Sequence, residues 1–288
     1  MTVAIEPVTA QLAPTRRPLA RALRTPQFSI GAAVLVFWIV VIVTVSWWAP
    51  YDPLEQVGER LQSPSTSHWF GTDTLGRDVF TRTMYGARYS LPTSAAVIVM
   101  TVLIGAGLGA IAGFRGGFID TLIMRTSDVV LAFPPILLAM AVAAALGPGL
   151  RNTVLALIVV WWPIYARLLR GQTVAIKSRE HLEAAVSVGV PPRRILRRHI
   201  LPLAGTPVLI NATMDFGQVV LLTASLSFLG LGAVPPAPEW GVLIDEGSRN
   251  FFQWWMALAP GLAILSVVLA FNFLRDSLRD QFDPRGRS

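Results

Sequence analysis

The chain has 288 residues, of which 53% are hydrophobic and only 14% are charged; soluble domains carry roughly 25% charged residues, so the composition indicates a membrane protein. The net charge of +7 suits anionic lipid headgroups, and the apolar composition excludes the mostly polar fold expected of a nucleic-acid binder. Because the chain has no cysteine, disulfides, thiolate metal sites and thiol nucleophiles are excluded as well.

The N-terminal region predicts a polar tail followed by a first membrane span. Residues 1–27 carry four arginines, and residues 28–49 are a run of 22 uncharged residues. This run is longer than a signal-peptide core and can cross a hydrocarbon layer of roughly 30 Å, so we expect it to stay in the protein as a transmembrane helix. Trp47, Trp48 and Tyr51 follow, where an aromatic belt would mark the far interface.

Residues 50–88 are predicted to leave the membrane as an extracytoplasmic loop, because prolines break helices there and acidic residues favour water. Near its end, Thr72 or Asp73 can cap a helix. That helix has an apolar stripe formed by Val79, Phe80, Met84 and Tyr85. We interpret it as a structural interfacial helix with no part in substrate binding.

Five further apolar segments are long enough to cross the membrane, which predicts six spans within a chain whose core covers residues 89–274. They are residues 89–114, 129–150, 152–172, 203–230 and 250–274. The first of them carries four glycines that allow close approach of another helix, namely Gly105, Gly107, Gly109 and Gly113. Pro134, Pro135 and Pro163 are expected to kink their helices.

The distribution of basic residues predicts the orientation of these spans. With both termini in the cytoplasm, eighteen basic residues lie inside and six lie outside. This excess follows the positive-inside rule. It places residues 1–27, residues 275–288 and the polar loop of residues 174–203 in the cytoplasm.

The most polar part of that loop, residues 180–202, predicts a short helix, a sharp turn and a second helix. Gly189 permits the positive φ of a helix end, and Pro191 or Pro192 can start the next helix. The second helix is amphipathic, since four arginines surround Ile195, Leu196 and Ile200. The pattern fits a docking element, and it fits equally well a basic loop that obeys the positive-inside rule.

A single carboxylate, Asp215, lies well within a predicted span. Exposure of a charged group to lipid costs several kcal/mol, so Asp215 must face the bundle interior, a water path or a partner. Two interpretations are equally good at this point: Asp215 lines a translocation path, or it makes a structural bond to a neighbouring helix.

The sequence lacks the catalytic residues of a P-loop ATPase and of an intramembrane enzyme. Lys177 is the only lysine and is not part of a P-loop, so the chain cannot hydrolyse ATP by that route. An intramembrane enzyme needs two carboxylates, or a serine and a histidine, at the same depth in the membrane. The three histidines are too far apart in depth to form a catalytic site or to bind a metal together. An ion-driven secondary transporter is a further alternative, but its inverted repeat is not visible.

The loop also resembles the EAA loop of ABC-importer permeases, with Glu-Ala-Ala, three residues, Gly, and an ending in Leu-Pro. His199 departs from the usual Ile, and the Arg-His-Ile-Leu-Pro ending is similar to the peptide and nickel branch of that family. The resemblance implies that the loop couples the permease to ATPases. The residues it assigns to this contact are Glu180, Glu183, Ala184, Ala185, Gly189, Val190, Pro191, Arg193, Arg194, Leu201 and Pro202.

Two more segments are similar to the second permease subunit of dipeptide, oligopeptide and nickel importers, namely residues 68–88 and 225–255. The resemblance implies an all-α membrane protein with six transmembrane helices and a cytoplasmic coupling loop, the type I ABC importer permease fold. Thr223 and Arg275 depart from it, standing where relatives commonly carry Glu and Gly.

The resemblance further implies that this chain is one subunit of a bacterial inner-membrane importer. The expected partners are a homologous permease subunit forming a heterodimer, two ABC ATPase subunits and an extracytoplasmic solute-binding protein. This chain is expected to bind no cofactor and to catalyse no reaction, since ATP and Mg²⁺ bind to the ATPases. Peptides are the favoured solute, and nickel is the alternative.

Overall fold

The computed structural model describes residues 25–179 and 187–282 of the chain. In these residues the structure consists of helices and loops, apart from one isolated antiparallel bridge between Thr72 and Asp78. In chain order, the helices are α1 (Pro26–Trp48), α2 (Val79–Arg115), α3 (Gly117–Leu131), α4 (Pro135–Leu146), α5 (Leu150–Lys177), α6 (Pro192–Ile195), α7 (Leu201–Phe228), α8 (Trp240–Ser248) and α9 (Trp255–Phe282).

Five of these helices contain a stretch that is long and apolar enough to cross a membrane: α1, α2, α5, α7 from Pro207 onward, and α9 up to Ser277. A sixth crossing is available if α3 and α4 act as one broken span. The predicted all-helical architecture is confirmed. The large hydrophobic residues on the outer faces of these helices, such as Ile39 and Val43 of α1, are exposed where lipid would cover them.

The third predicted span, residues 129–150, is broken at the two prolines where a kink is expected. α3 and α4 meet at a bend of 94°. The residue before a proline disfavours helical geometry, so the chain leaves the helix at Phe133 and Pro134, and Pro135 begins α4 where no backbone N–H is needed. The kink expected at the two prolines is therefore a sharp turn.

The interfacial helix predicted at the end of residues 50–88 is the first part of α2, not a separate element. α2 has 37 residues, and its N-cap is Asp78, whose carboxylate accepts a hydrogen bond from the Thr81 N–H at 2.8 Å. The cap predicted at Thr72 or Asp73 was wrong, because the chain turns back on itself at Gly76 with a φ of 76°. Asp73 instead caps this turn by accepting the Leu75 N–H at 2.8 Å.

α2 and α5 pack backbone against backbone along a row of glycines. A Cβ on Gly105 would lie 2.4 Å from the Trp162 carbonyl oxygen, and one on Gly109 would lie 2.2 Å from the Ala166 carbonyl oxygen. Gly113 has a similar neighbour in Arg170. The predicted close approach is confirmed for these three glycines, but Gly107 faces open space.

A second apolar cluster joins α1, α2, α7, α8 and α9 around two tryptophans. Trp38 and Trp240 meet edge to face with ring centroids 5.0 Å apart. Glu239, beside Trp240, caps α8 through the Gly241 N–H at 2.8 Å and accepts the Ser90 hydroxyl of α2 at 2.7 Å. Burial raises the pKa of Glu239 above its usual value, and these hydrogen bonds oppose that shift only in part.

Candidate coupling segment and intramembrane polar site

The coupling segment is defined here as residues 187–202, the described part of the predicted docking loop. Glu180, Glu183, Ala184 and Ala185 lie outside the described residues, so the structure does not bear on the predicted first helix. The side chain of Arg193 also lies outside them. The predicted contact residues whose side chains the structure describes are Gly189, Val190, Pro191, Arg194, Leu201 and Pro202.

Gly189 has the positive φ that the sequence predicts, at 78°. A Cβ at this position would meet no atom within 4 Å, so the backbone conformation and not crowding favours glycine. The chain then turns into α6, where the Pro191 carbonyl accepts the N–H groups of Arg194 at 2.8 Å and Ile195 at 3.2 Å. The predicted helix start at these prolines is confirmed.

The second helix of the loop continues into α7 without a break. Leu196–Ile200 form a π-helical turn, in which the Leu201 N–H donates to the Leu196 carbonyl five residues earlier. Pro202 has no N–H, so the helical hydrogen bond to the carbonyl four residues before it cannot form. A π-helical turn is one way for a helix to accommodate the missing hydrogen bond. The coupling segment is therefore one body with α7, a link that the sequence pattern does not reveal.

The coupling segment has one apolar and one basic face. Ile195 and Ile200 are buried, with exposed fractions of 4% and 0%, in the same core cluster as Ile176 of α5. Val190 and Leu196 pack against this cluster. The opposite face is exposed and includes Pro191, Arg194, Arg197, Arg198, Leu201 and Pro202. The predicted amphipathic character is confirmed.

Ion pairs between α3 and α5 brace the end of the bundle that carries the coupling segment. Arg170 holds Asp120 with two hydrogen bonds, Nε to Oδ1 at 3.0 Å and Nη2 to Oδ2 at 2.7 Å. Arg167 pairs with Asp128, and Lys177 donates to the Phe114 carbonyl at 3.0 Å. These pairs were not predicted from the sequence; the signal for them is the amphipathic pattern of residues 117–131, with acids eight residues apart.

Asp215 lies in α7 and contacts α5. Its Oδ2 atom accepts a hydrogen bond from the Tyr165 hydroxyl at 2.8 Å, and Tyr165 is fully buried. Trp161, one turn before Tyr165, is near the same carboxylate, but the two groups do not reach hydrogen-bond geometry. The indole N–H of Trp161 is buried without a partner among the described residues. A bond to a neighbouring helix therefore exists, and Asp215 as a residue is still partly exposed.

At the opposite end of the bundle, two arginines and two carboxylates form a buried charge cluster. Arg77 Nε donates to Asp73 Oδ2 at 2.7 Å, and Arg82 pairs with the same carboxylate. Glu246 of α8 accepts from Arg82 Nη1 at 2.6 Å and from Arg77 Nη2 at 3.3 Å. The cluster joins the start of α2 to α8. Glu246 is more than 160 residues away along the chain, so no local pattern predicts the contact.

The two positions that depart from the resemblance each hold a buried polar atom. Thr223 Oγ1 and Arg275 Nε have no hydrogen-bond partner among the described residues.

The two described histidines lie in different parts of the structure. His68 Nδ1 lies 2.9 Å from Asp78 Oδ1, and His199 is in the coupling segment. His181 falls outside the described residues.

Comparison with known proteins assigns the chain to a family. Residues 105–288 match the family of binding-protein-dependent transport system inner membrane components. In solved structures, a chain of the methionine ABC transporter MetNI, in an inward-facing conformation, matches with a TM-score of 0.52 and 19% identity over 68% of this chain and 94% of that one. This structural likeness supports the fold.

Several relatives are similar over most of their length. The dipeptide transport system permease protein DppC of Alkalihalophilus pseudofirmus is 44% identical over 90% of this chain and 84% of its own. The probable D,D-dipeptide transport system permease protein DdpC of Escherichia coli is 38% identical over 91% and 88%, respectively. The glutathione transport system permease protein GsiD of Pectobacterium atrosepticum is 42% identical over 87% and 86%. The chain therefore belongs to the family of inner membrane components of binding-protein-dependent transport systems, and it is a multi-pass permease subunit.

Proposed function

We propose that the chain forms half of the translocation pathway of an ATP-driven peptide importer in the bacterial inner membrane. It pairs with a homologous permease, receives its solute from an extracytoplasmic binding protein, and docks through the coupling segment on one of the two ABC ATPases, which bind ATP and Mg²⁺. The chain itself catalyses no reaction. Both termini and the coupling segment face the cytoplasm, as the excess of basic residues at that end favours.

The observation that carries this proposal is the two-faced coupling segment. Its apolar face is held in the core by Ile195 and Ile200, and its basic face is free to contact another protein. A segment that is anchored on one side and charged on the other suits a docking element, because a force applied to the exposed face reaches the core directly. A loop that serves only to satisfy the positive-inside rule does not need such an anchor.

The connections of the segment suggest how ATPase closure moves the pathway. α7 continues from the segment through the π-helical turn, and α5 contacts it through Ile176. The ion pairs of Arg167 and Arg170 extend this body to α3. Different contacts with open and closed ATPases then bias these helices between inward-open and outward-open arrangements.

Peptides are the proposed solute class. The named functions of the relatives are transport of a dipeptide, a D,D-dipeptide and glutathione. All three are small peptides, and two of the relatives exceed 40% identity over most of this chain. The choice among such peptides rests with the binding protein.

The docking proposal predicts that Gly189→Pro uncouples uptake from ATP hydrolysis. Proline fixes φ near −65°, so it cannot adopt the φ of 78° found at Gly189. The turn must rearrange, while the spans stay inserted. We expect ATP-dependent uptake of dialanine by the reconstituted complex to fall about tenfold or more, which corresponds to a rise of about 1.4 kcal/mol or more in activation free energy, while ATP hydrolysis continues.

Gly205→Ala is the matched control. Gly205 lies in α7 just beyond the segment, has no positive φ, and has open space where a Cβ would be. This variant should import dialanine at the wild-type rate. Equal uptake by Gly189→Pro and wild type, with the ATPases still bound, would contradict the docking function.

A further inference from the structure

A polar stripe runs along one face of α7, in the part that is apolar enough to cross the membrane. Asn211, Asp215 and Gln218 are spaced by four and three residues, so they share a helix face. All three side chains are at least partly exposed in the single chain. Facing lipid, an aspartate at mid-span costs about 3 kcal/mol or more, so we expect water or a partner subunit to cover this face.

The carboxylate of Asp215 has unused capacity to bind a cation. An ionised carboxylate can accept about four hydrogen bonds, and the Tyr165 hydroxyl supplies one of them at 2.8 Å. Among the described residues, no lysine, arginine or histidine lies within the 4.0 Å salt-bridge distance of Asp215. The indole N–H of Trp161 is buried without a partner among the described residues and makes no hydrogen bond to Asp215, so it does not occupy the carboxylate.

We propose that Asp215, positioned by Tyr165, is a binding station on the translocation path for the ammonium group of the passing solute. The inference rests on the proposed function, since it requires a path between this chain and its partner. A primary ammonium offers three donors and one positive charge, which match the free positions on the carboxylate. One carboxylate and one phenol are too few ligands for a divalent metal, which needs several oxygen or nitrogen ligands.

A single station of this kind suits transport. A solute must bind well enough to enter the path and weakly enough to leave it, and one charge-assisted contact meets both conditions. Gln218 and Asn211, on either side of Asp215, offer neutral amide groups to the rest of a peptide, and Asn211 Nδ2 also donates to the Pro207 carbonyl at 2.9 Å. The stripe therefore has its charge in the middle and neutral groups at both ends.

The competing interpretation is that the Tyr165–Asp215 bond only joins α5 to α7. Two substitutions separate the interpretations because each removes a different property. Asp215→Asn removes the charge and keeps an oxygen that can accept the Tyr165 hydroxyl, whereas Tyr165→Phe removes the bond and keeps the charge. If Asp215 binds the solute, Asp215→Asn should lower uptake more than Tyr165→Phe does. If the bond only joins the helices, Tyr165→Phe should lower uptake more.

The test measures the maximal rate of dialanine uptake and the ATPase rate of the full complex with its binding protein, in proteoliposomes. We expect Asp215→Asn to lower uptake about tenfold, the effect of losing one hydrogen bond to a charged group, while ATP hydrolysis stimulated by the binding protein continues. Asp215→Glu should recover most of the uptake, and Tyr165→Phe should lose less than Asp215→Asn. Asp245→Asn in α8, which removes a surface carboxylate paired with Arg249, is the control and should match the wild type.

Each other outcome counts against the station. Uptake by Asp215→Asn equal to that of the wild type, or a larger loss in Tyr165→Phe than in Asp215→Asn, overturns it and leaves the importer function intact. A parallel fall of uptake and ATP hydrolysis in Asp215→Asn assigns the residue to the helix bond instead. A wild-type complex that hydrolyses ATP without importing a dipeptide, a D,D-dipeptide or glutathione overturns the peptide-import proposal and the station together.

Discussion

Replacing Gly109 with alanine should separate α2 from α5 and destabilise the whole bundle. The added Cβ would lie 2.2 Å from the carbonyl oxygen of Ala166 and 2.9 Å from its carbonyl carbon. Both atoms belong to the backbone of α5, so no side-chain rotation can relieve the clash. Overpacking a tight contact costs typically about 1–3 kcal/mol, and we expect the upper end of that range here because a helix must move.

Gly107→Ala is the matched control, since it makes the same chemical change two residues away on the same helix. Gly107 has no atom within 4 Å of the position of an added Cβ. Alanine also favours helix by about 1 kcal/mol over glycine, so this variant should be as stable as the wild type or more stable. The measurement is the thermal unfolding midpoint of the purified chain in detergent. Equal midpoints for the two variants would contradict the packing described for α2 and α5.

Replacing Arg82 with methionine should have the second large effect, by leaving two carboxylates with only one of their two shared arginines. Arg82 pairs with Asp73 and with Glu246, and its side chain is only 1% exposed. Removing one partner of a buried ion pair costs about 3–5 kcal/mol, because the remaining charge is left uncompensated. Arg77 still contacts both acids but cannot neutralise two charges.

Arg249→Met provides the comparison, because Arg249 also pairs with an aspartate but is 74% exposed. Exposed pairs contribute about 0–1 kcal/mol, so this variant should unfold within a few degrees of the wild type. Adding Glu246→Gln to Arg82→Met should recover part of the lost stability, since it removes one of the stranded charges. A loss in Arg82→Met no larger than that in Arg249→Met would mean that the charge cluster does not hold α8 to α2.

The membrane spans illustrate what could be predicted from local sequence. Runs of apolar residues predict α1, α2, α5, α7 and α9, because a helix that crosses lipid must be apolar over most of its length. The same argument predicts a kinked span at residues 129–150, which are apolar enough to cross but contain Pro134 and Pro135, and α3 and α4 fit it as one broken span. A hydrophobicity pattern does not give the angle of a proline break, and here the bend is 94°.

The candidate sites were predictable to different degrees. The positive φ of Gly189 and the helix start at Pro192 follow from local backbone preferences, and the structure has both. Asp215 was identifiable as a carboxylate in a span, but its partner Tyr165 is 50 residues away in sequence. The π-helical turn at Leu196–Ile200 also went unpredicted, because a helix can accommodate the missing N–H of Pro202 in more than one way.

The sequence by itself determined the class of the protein, the approximate positions of its spans and the basic, bent character of the coupling segment. These properties depend on composition, hydrophobic length and the conformations open to glycine and proline, all of which are local. Only the tertiary structure decided which glycines of α2 touch α5, which charges meet in the cluster of Arg82, and which residue binds Asp215. Such contacts join residues that are distant along the chain, and their energies depend on distances and burial that exist only after the helices have packed.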